Sequence, residues 1–391
     1  MKFTIITHAE HKLKQDKIFA YEPYVKEMNL WLKHVDDVEI IAPISNEEIS
    51  IIDIAYESNI HSSENKQIKF VKIPSFDIIS FKNSIKAFLK IPSILLLIFK
   101  AMKRTDHIHL RCPGNIGLLG CLVQILLPSK SKTVKYAGNW DPKSKQPLSY
   151  RFQKWIISNS FLTKNCKVLV YGDWSNQSKN ILPFFTASYS ENEIEEIETR
   201  TLFDSKQNDV FKNLNLIKFL FVGGFTKGKQ PLLTVKVIHE LINLGYSVQL
   251  RMYGDGIEKE RIENYIKEHK LEETIFLYGN QPKEIVKKSY QQSHFLVFIS
   301  KSEGWPKVVA EAMFWGCVPI SSNVSCIKDM LGNGIRGSIV EPIIGDIVNE
   351  LQEYIENPKI YTKKGVEAMN WSRNYTLEKF EMEIEKLLFS S

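Results

Sequence analysis

The chain has 391 residues, 43% of them apolar and 25% charged, which excludes a disordered or collagen-like protein and predicts two globular domains rather than one. Its five cysteines, Cys112, Cys121, Cys166, Cys317 and Cys326, are odd in number and include no C-x-x-C pair, so neither a disulfide framework nor a thiolate zinc site is expected and a reducing compartment is. The net charge of +6 is unevenly spread: residues 1–190 carry 26 Lys plus Arg against 16 Asp plus Glu, and the remainder 25 against 29.

The basic half has no zinc-finger pattern and no RNP-like aromatic motif, so nucleic acid is set aside and an anionic membrane surface is the expected partner of that charge. The first residues are charged at Lys2 and polar by His8, so no signal-peptide core is expected there. The most apolar run, 91–99, is closed by Lys90 and Lys100 and is too short to span a bilayer.

Residues 1–7 and 38–43 read as short buried strands with a polar and aromatic insertion, 8–31, between them. The first strand continues as Ala9-Glu10-His11-Lys12, without the Gly-rich turn of a dinucleotide site, which disfavours a redox enzyme. His8, Glu10 and His11 are read as solvated loop residues in preference to a metal site. Between 78 and 105 no acidic residue occurs, while Lys82, Lys86, Lys90, Lys100, Lys103 and Arg104 interleave with Phe81, Ile85, Phe88 and Leu89 at helical spacing. The spacing predicts an amphipathic helix, followed after Pro92 by a second one, either lying on a membrane or turning its apolar face to the core.

A strand at 107–110, a loop from Arg111 to Asn115, a helix over 116–127, a strand at 133–137, a loop containing Asn139 and Asp141, a helix over 148–162 and a strand at 167–171 follow. This is the βαβ rhythm of an open parallel sheet, where ligands sit at the carboxyl ends of strands. Arg111, Asn115, Asn139 and Asp141 occupy such ends. Composition places a domain boundary between about 190 and 215. Beyond it, strands at 216–222, 248–253 and 275–278 run into Gly223-Gly224 with Lys227 and Lys229, into Gly254-Asp255-Gly256, and into Gly279-Asn280.

The strand at 294–299 then leads to Glu303-Gly304-Trp305 and to a helix opened by Pro306 and closed by Gly316. Glu303 falls in the loop, and Glu311 lies one turn beyond Lys307 and Val308 on one helical face, so both carboxylates can look into one crevice. The start of that helix offers N–H groups and a positive dipole end to an anion.

The run from Glu303 to Pro319 resembles the family 4 (group 1) glycosyltransferases, whose setting is E-G-F-G-x-x-x-x-E-A-M-A-x-G-x-P-V, with Gly304, Ala312, Gly316 and Pro319 all in place. The turn at Gly223 to Lys229 is similar to that family's F-V-G-R-L-x-x-x-K-G, with Lys229 at the lysine and Gly224 where arginine is expected; Lys227 is the candidate replacement. The resemblance implies an α/β GT-B fold, two Rossmann-like doubly wound domains facing a central cleft: 1–195 on the acceptor side, 210–370 for the nucleotide sugar, and a terminal helix in 371–391 packed back on the first. It implies a retaining transferase moving a sugar from a nucleoside diphosphate sugar to a glycan or lipid-linked hydroxyl acceptor, in polysaccharide or glycolipid synthesis.

Within that resemblance Glu303, with Asn139 the catalytic candidate, touches the donor sugar, Glu311 the ribose hydroxyls and Lys229 and Lys227 the diphosphate; Gly223, Gly224, Gly254, Asp255, Gly279, Asn280, Gly304, Trp305, Lys307 and Val308 line the donor site, and Arg111, Asn115 and Asp141 the acceptor side. Asn139 stands near where the family often has a sugar-contacting histidine. No D-x-D pair occurs, so neither a metal nor another cofactor is expected. A cytoplasmic protein, peripheral on the inner membrane face, is the expected setting. The alternatives are a GT-B nucleotide-sugar epimerase and a non-catalytic nucleotide-sugar-binding protein.

Overall fold

Runs rich in Val, Ile, Leu and Phe become parallel strands covered on both faces, the arrangement that near-continuous apolar segments favour. The computed structural model describes residues 1–57, 68–74, 81–196, 202 and 216–389, and for 81–89 the backbone alone. Two units result: Met1–Phe185 with Phe380–Ser391, and Thr186–Lys379.

The first unit contains β1 (Lys2–Ile6), β2 (Lys12–Lys14), β3 (Lys17–Tyr21), α1 (Glu22–Leu32), β4 (Asp37–Pro43), β5 (Asp53–Ala55), β6 (Ile68–Ile73), α2 (Phe81–Arg104), β7 (His107–Cys112), α3 (Asn115–Val123), β8 (Ser131–Tyr136), α4 (Leu148–Ser158), β9 (Cys166–Tyr171) and β10 (Ile181–Phe184). Seven strands form a parallel sheet in the order β10-β9-β8-β7-β1-β4-β6, so the winding reverses between β1 and β7. The insertion at 8–31 holds α1 and two strands of a small antiparallel sheet, β2-β3-β5. Residues Phe380–Ser391 complete this unit: Phe380 packs edge-on to Phe184 and Phe185, and Lys33 pairs with Glu381.

The second unit follows with β11 (Ile217–Val222), α5 (Pro231–Asn243), β12 (Val248–Tyr253), α6 (Lys259–Glu268), β13 (Ile275–Leu277), α7 (Lys283–Gln292), β14 (Phe295–Phe298), α8 (Lys307–Phe314), β15 (Val318–Ser322), α9 (Ile327–Met330), β16 (Ser338–Val340), α10 (Ile344–Glu356) and α11 (Pro358–Ser372). The last helix, α12 (Leu377–Phe389), begins in this unit. Its strands lie in the order β13-β12-β11-β14-β15-β16, all parallel, with the reversal between β11 and β14. Phe219, Phe221, Phe295, Val297 and Ile320 make the centre of its core.

Two expectations change. Helix α2 runs unbroken through Pro92 rather than restarting after it, and the Ser93 hydroxyl donates to the Lys90 carbonyl in the turn where proline supplies no N–H. Arg111 lies within β7 rather than in the loop after it. On α2, Ile94, Ile98, Ala101 and Met102 enter the core, whereas Leu96 and Leu97 stay in solvent beside exposed Lys90, Lys100 and Lys103. Arg104 bonds Glu39. The side chains of Phe81, Lys82, Ile85, Lys86, Phe88 and Leu89, and the linker at 203–215, lie outside the described residues. Among the described residues no helix is long and apolar enough to cross a membrane.

Buried histidines make this unit acid-sensitive. His11, expected to be a solvated loop residue, is instead fully buried, with Nδ1 2.8 Å from the Ala9 carbonyl and Nε2 2.9 Å from the Tyr56 hydroxyl. His107 lies 2.9 Å from the Thr133 hydroxyl. Burial lowers His11 to about 4, and burial with the charges of Lys167 and Lys132 lowers His107 to about 4. With the folded pKa depressed, the unfolded chain binds these protons first. The stability they confer is therefore whole above about pH 6.5 and is lost as pH falls to about 4, up to about 3 kcal/mol for each. Denaturant titrations at pH 7.5, 6 and 5 should show a falling midpoint, with a shallower fall in His107→Asn; a flat profile above pH 5 would contradict this.

Candidate functional site

In the second unit the loops leaving β11 and β14 depart on either side of the strand-order reversal, the place where open α/β sheets bind ligands. The loop after β11, residues 223–230, brings Lys229, and the loop after β14, residues 299–306, brings Glu303. Lys229 Nζ donates to Glu303 Oε1 at 2.5 Å, with the lysine side chain 30% and the glutamate 10% exposed. The Ser300 hydroxyl donates to the same carboxylate oxygen at 2.5 Å. Backbone and side-chain bonds lace the two loops: Lys301 N to Gly228 O at 2.9 Å and Gln230 Nε2 to Ile299 O at 3.4 Å. The Gly304 carbonyl accepts from the Ser325 hydroxyl at 2.6 Å, which fixes the stretch holding Glu303 to the loop after β15.

Pro306 is the cap of α8 rather than its first residue. The N–H of Lys307 closes onto the Trp305 carbonyl, and those of Val309 and Ala310 close onto the Pro306 carbonyl, so three of the first four helical amides are used within the turn. The positive charge offered to an anion here is therefore chiefly that of Lys229. At its other end α8 stops in a Schellman motif: Gly316 has φ +65°, its N–H donates to Met313 O, and the Cys317 N–H donates to Ala312 O at 2.8 Å.

Glu311 is half-buried on α8. Its Oε1 accepts from the Ser188 hydroxyl at 2.6 Å and its Oε2 from the Tyr290 hydroxyl at 3.0 Å. Burial, then the Glu311 charge, push the Tyr290 phenol well above its usual range, so it is a permanent donor. Neither partner was visible in sequence, since Ser188 lies in the chain's approach to the unit and Tyr290 on the neighbouring helix α7.

The Gly-Asp-Gly turn has a steric reason. Gly254 has φ +140°, and a Cβ there would stand 2.0 Å from the Gly223 carbonyl oxygen; at Gly256 it would meet the Phe225 carbonyl oxygen at 2.6 Å. The Gly-Asp-Gly turn touches the loops on both sides of it backbone to backbone, through Phe225 N to Asp255 O at 2.8 Å and Gly254 N to Gly279 O at 2.9 Å. Gly223, Gly254 and Gly279 thus come together, with Asp255 bonding Gly256 N and Lys259. Gly224 and Lys227 are exposed, as is part of Asn280.

In the first unit Arg111 is buried, bonded to Glu27 and stacked over the Tyr24 ring at 5.3 Å, which makes it part of the frame. Asn115 opens α3. Asn139 Oδ1 accepts from Asp141 N at 2.9 Å and Asp141 Oδ1 from Lys143 N at 2.8 Å, so both carboxamide and carboxylate shape their own loop. Among the described residues no three His, Cys, Asp or Glu side chains gather as a metal site would require.

Residues 203–371 match the family model described as Glycosyl transferases group 1. A stretch of 117 residues is 32% identical to a lipopolysaccharide 1,6-galactosyltransferase of Salmonella typhimurium, covering 29% of this chain and 33% of that protein; the match thus spans about a third of that relative's length. In structure the whole chain is similar to the lipopolysaccharide outer core galactosyltransferase WaaB in its apo form, with a TM-score of 0.66, 18% identity and coverage of 100% and 99%. It is similar also to Anabaena HepE, solved with UDP and glucose, with a TM-score of 0.65, 12% identity and full coverage of both chains.

The close approach at Gly254 yields a test. Gly254→Ala forces the positive φ on a residue with a Cβ and drives that atom into the Gly223 carbonyl, so it should cost about 1–3 kcal/mol or more. Thermal unfolding should register this as a lower midpoint. An unchanged midpoint would mean that the two loops do not pack as described.

Proposed function

We propose that this chain, whose residues 203–371 match the group 1 glycosyltransferase model and whose two parallel α/β sheets have the GT-B fold, moves a sugar from a nucleoside diphosphate sugar to a hydroxyl acceptor with retention at the anomeric carbon. The observation that carries this reading is Lys229 meeting Glu303 at the strand-order reversal. In the step itself the bond from anomeric carbon to phosphate oxygen breaks and the diphosphate leaves with its electrons. The acceptor oxygen bonds to the carbon and gives up its proton to the departing diphosphate. Negative charge grows on the diphosphate, where a fixed cation is worth most. Lys229 supplies it, Lys227 adds to it from solvent, Glu303 acts at the sugar, and Glu311 takes the ribose hydroxyls. No part of this set needs a metal or another cofactor.

We assign the acceptor to the first unit, at Asn115 and Asp141, with Arg111 holding the end of β7, and Asn139 to the sugar being transferred. A surface glycan or glycolipid is the acceptor class, in keeping with the lipopolysaccharide galactosyltransferase relative. A place on the cytoplasmic face of a membrane suits that acceptor. Helix α4 strengthens the membrane reading in a way the sequence did not suggest. Leu148 (78% exposed), Phe152 (45%), Trp155 (57%) and, just beyond the helix, Phe161 (76%) are apolar groups in water, beside exposed Lys143, Lys145, Arg151 and Lys164. Aromatic rings with a basic rim match the interface of an anionic bilayer.

An epimerase needs no acceptor and a binding protein turns nothing over, so release of nucleoside diphosphate only with acceptor present separates both from a transferase. With donor and acceptor in hand, Glu303→Gln should lower kcat about a hundredfold or more while donor KM moves only a few-fold. Lys229→Ala should harm both, and Lys227→Ala should act in the same direction but less. Full activity in Glu303→Gln would remove this motif from the catalytic centre. For the membrane, co-sedimentation with phosphatidylglycerol vesicles should decline with salt and with Trp155→Ser; no binding at low salt would end that assignment.

A further inference from the structure

Glu311 has four lone-pair positions on its carboxylate, and the protein fills one on each oxygen. Resting on the reading of Glu311 as the ribose ligand, we propose that Ser188 and Tyr290 are positioning residues that fix the carboxylate so that one remaining lone pair on each oxygen meets the vicinal 2′,3′-diol of a nucleotide ribose. A carboxylate on a free helical side chain rotates, and a bidentate contact to two neighbouring hydroxyls demands one orientation. Two donors gripping opposite oxygens impose it.

The two grips come from rigid and from strapped chain. Tyr290 is fully buried on α7. Ser188 belongs to a segment clamped down at every step. Its own carbonyl accepts from Lys283 Nζ at 2.6 Å, and Tyr189 packs on Phe314 and Trp315 with ring centroids 4.9 and 5.1 Å apart. Ser190 and Glu193 form a capping box, and Glu193 pairs with Lys283 at 3.5 Å and Lys287 at 3.3 Å. The strap 188–193 thus ends the chain's approach to the second unit by seating one hydroxyl on the carboxylate of α8. Tyr189 rests on Phe314 and Trp315 at the end of the helix that carries Glu311, so the strap grips both the side chain and its helix.

The experiment measures binding of UDP, GDP and ADP, each beside its 2′-deoxy counterpart, by calorimetry, and takes the affinity ratio for the tightest base. In the full-length protein the ribo form should win by about tenfold to a hundredfold, the scale of a hydrogen bond to a charged group. Glu311→Ala should bring the ratio near one. Tyr290→Phe and Ser188→Ala should each lower it to about threefold, leaving the affinity for the deoxy form within twofold and the thermal midpoint within a few degrees. A merely structural role would weaken ribo and deoxy forms together and keep their ratio. If Glu311→Ala collapses the ratio while Tyr290→Phe and Ser188→Ala retain it, the positioning role is overturned and the ribose assignment survives. If Glu311→Ala keeps the ratio, or none of the three nucleotides binds, the ribose assignment falls and this inference with it.

Discussion

A lysine and a glutamate delivered by two loops that leave the sheet on either side of its reversal hold each other at 2.5 Å, and the rest of the second unit is arranged to make that contact repeatable. The pair is partly sheltered, so it is neither a solvent-screened surface bridge nor a fully desolvated one. Lys229 remains accessible enough for an incoming anion to share it. Glu303 keeps the Ser300 hydroxyl when that happens, so its charge does not become an unpaired one. The glycines of the neighbouring turn permit the backbone contact that sets the height of the lysine loop, and the Schellman stop of α8 sets where Glu311 emerges.

The second unit was the more legible of the two because its strands are uniformly apolar and its turns are written in glycine. The strand Val248–Tyr253 stands where periodicity put it, and the first glycine of the Gly-Asp-Gly turn answers to a carbonyl 2.0 Å from where a Cβ would be. Pro306 was displaced by one residue: at φ −76° and ψ 79° its backbone has not yet turned helical, so it caps α8 without a side-chain hydrogen bond. What could not be read were side-chain partners from distant sequence. The hydroxyls of Ser188 and Tyr290 reach Glu311 across separations of 123 and 21 residues, and no local spacing announces them.

In the first unit the same rules met more exceptions. The insertion 8–31 hides most of α1 and two short strands: β2 is a three-residue Lys-Leu-Lys run that resembles a loop, and β3 is only five residues long. Proline inside α2 reads as a boundary, yet the helix runs through it into a well-buried far half. On α4 periodicity found the helix but not its wet side: Gln153, Ile156 and Ile157 face inward, while Phe152 and Trp155 face out. An aromatic residue scores as apolar whichever way it points, so only the packed structure separates a core face from a docking face.

That distinction changes what the basic excess of residues 1–190 means. A share of it is not surface charge at all. Lys135 is fully buried in β8, its Nζ 3.0 Å from the Phe185 carbonyl and 4.3 and 4.5 Å from the rings of Tyr171 and Phe184. Lys132 donates to the carbonyls of Leu127 and Lys130, and Arg111 is spent on Glu27. Each of these cations is satisfied inside the unit, as a charge removed from water must be, and contributes little to an approaching partner. Among the cations that do reach solvent are Lys90, Lys100 and Lys103 of α2 and Lys143, Lys145, Arg151 and Lys164 around α4. A charge count over the sequence therefore overstates the field's strength and hides its place. The cations that reach solvent on these two helices stand beside their exposed leucines and aromatic rings, the pairing of basic and apolar groups that a charged, greasy surface selects.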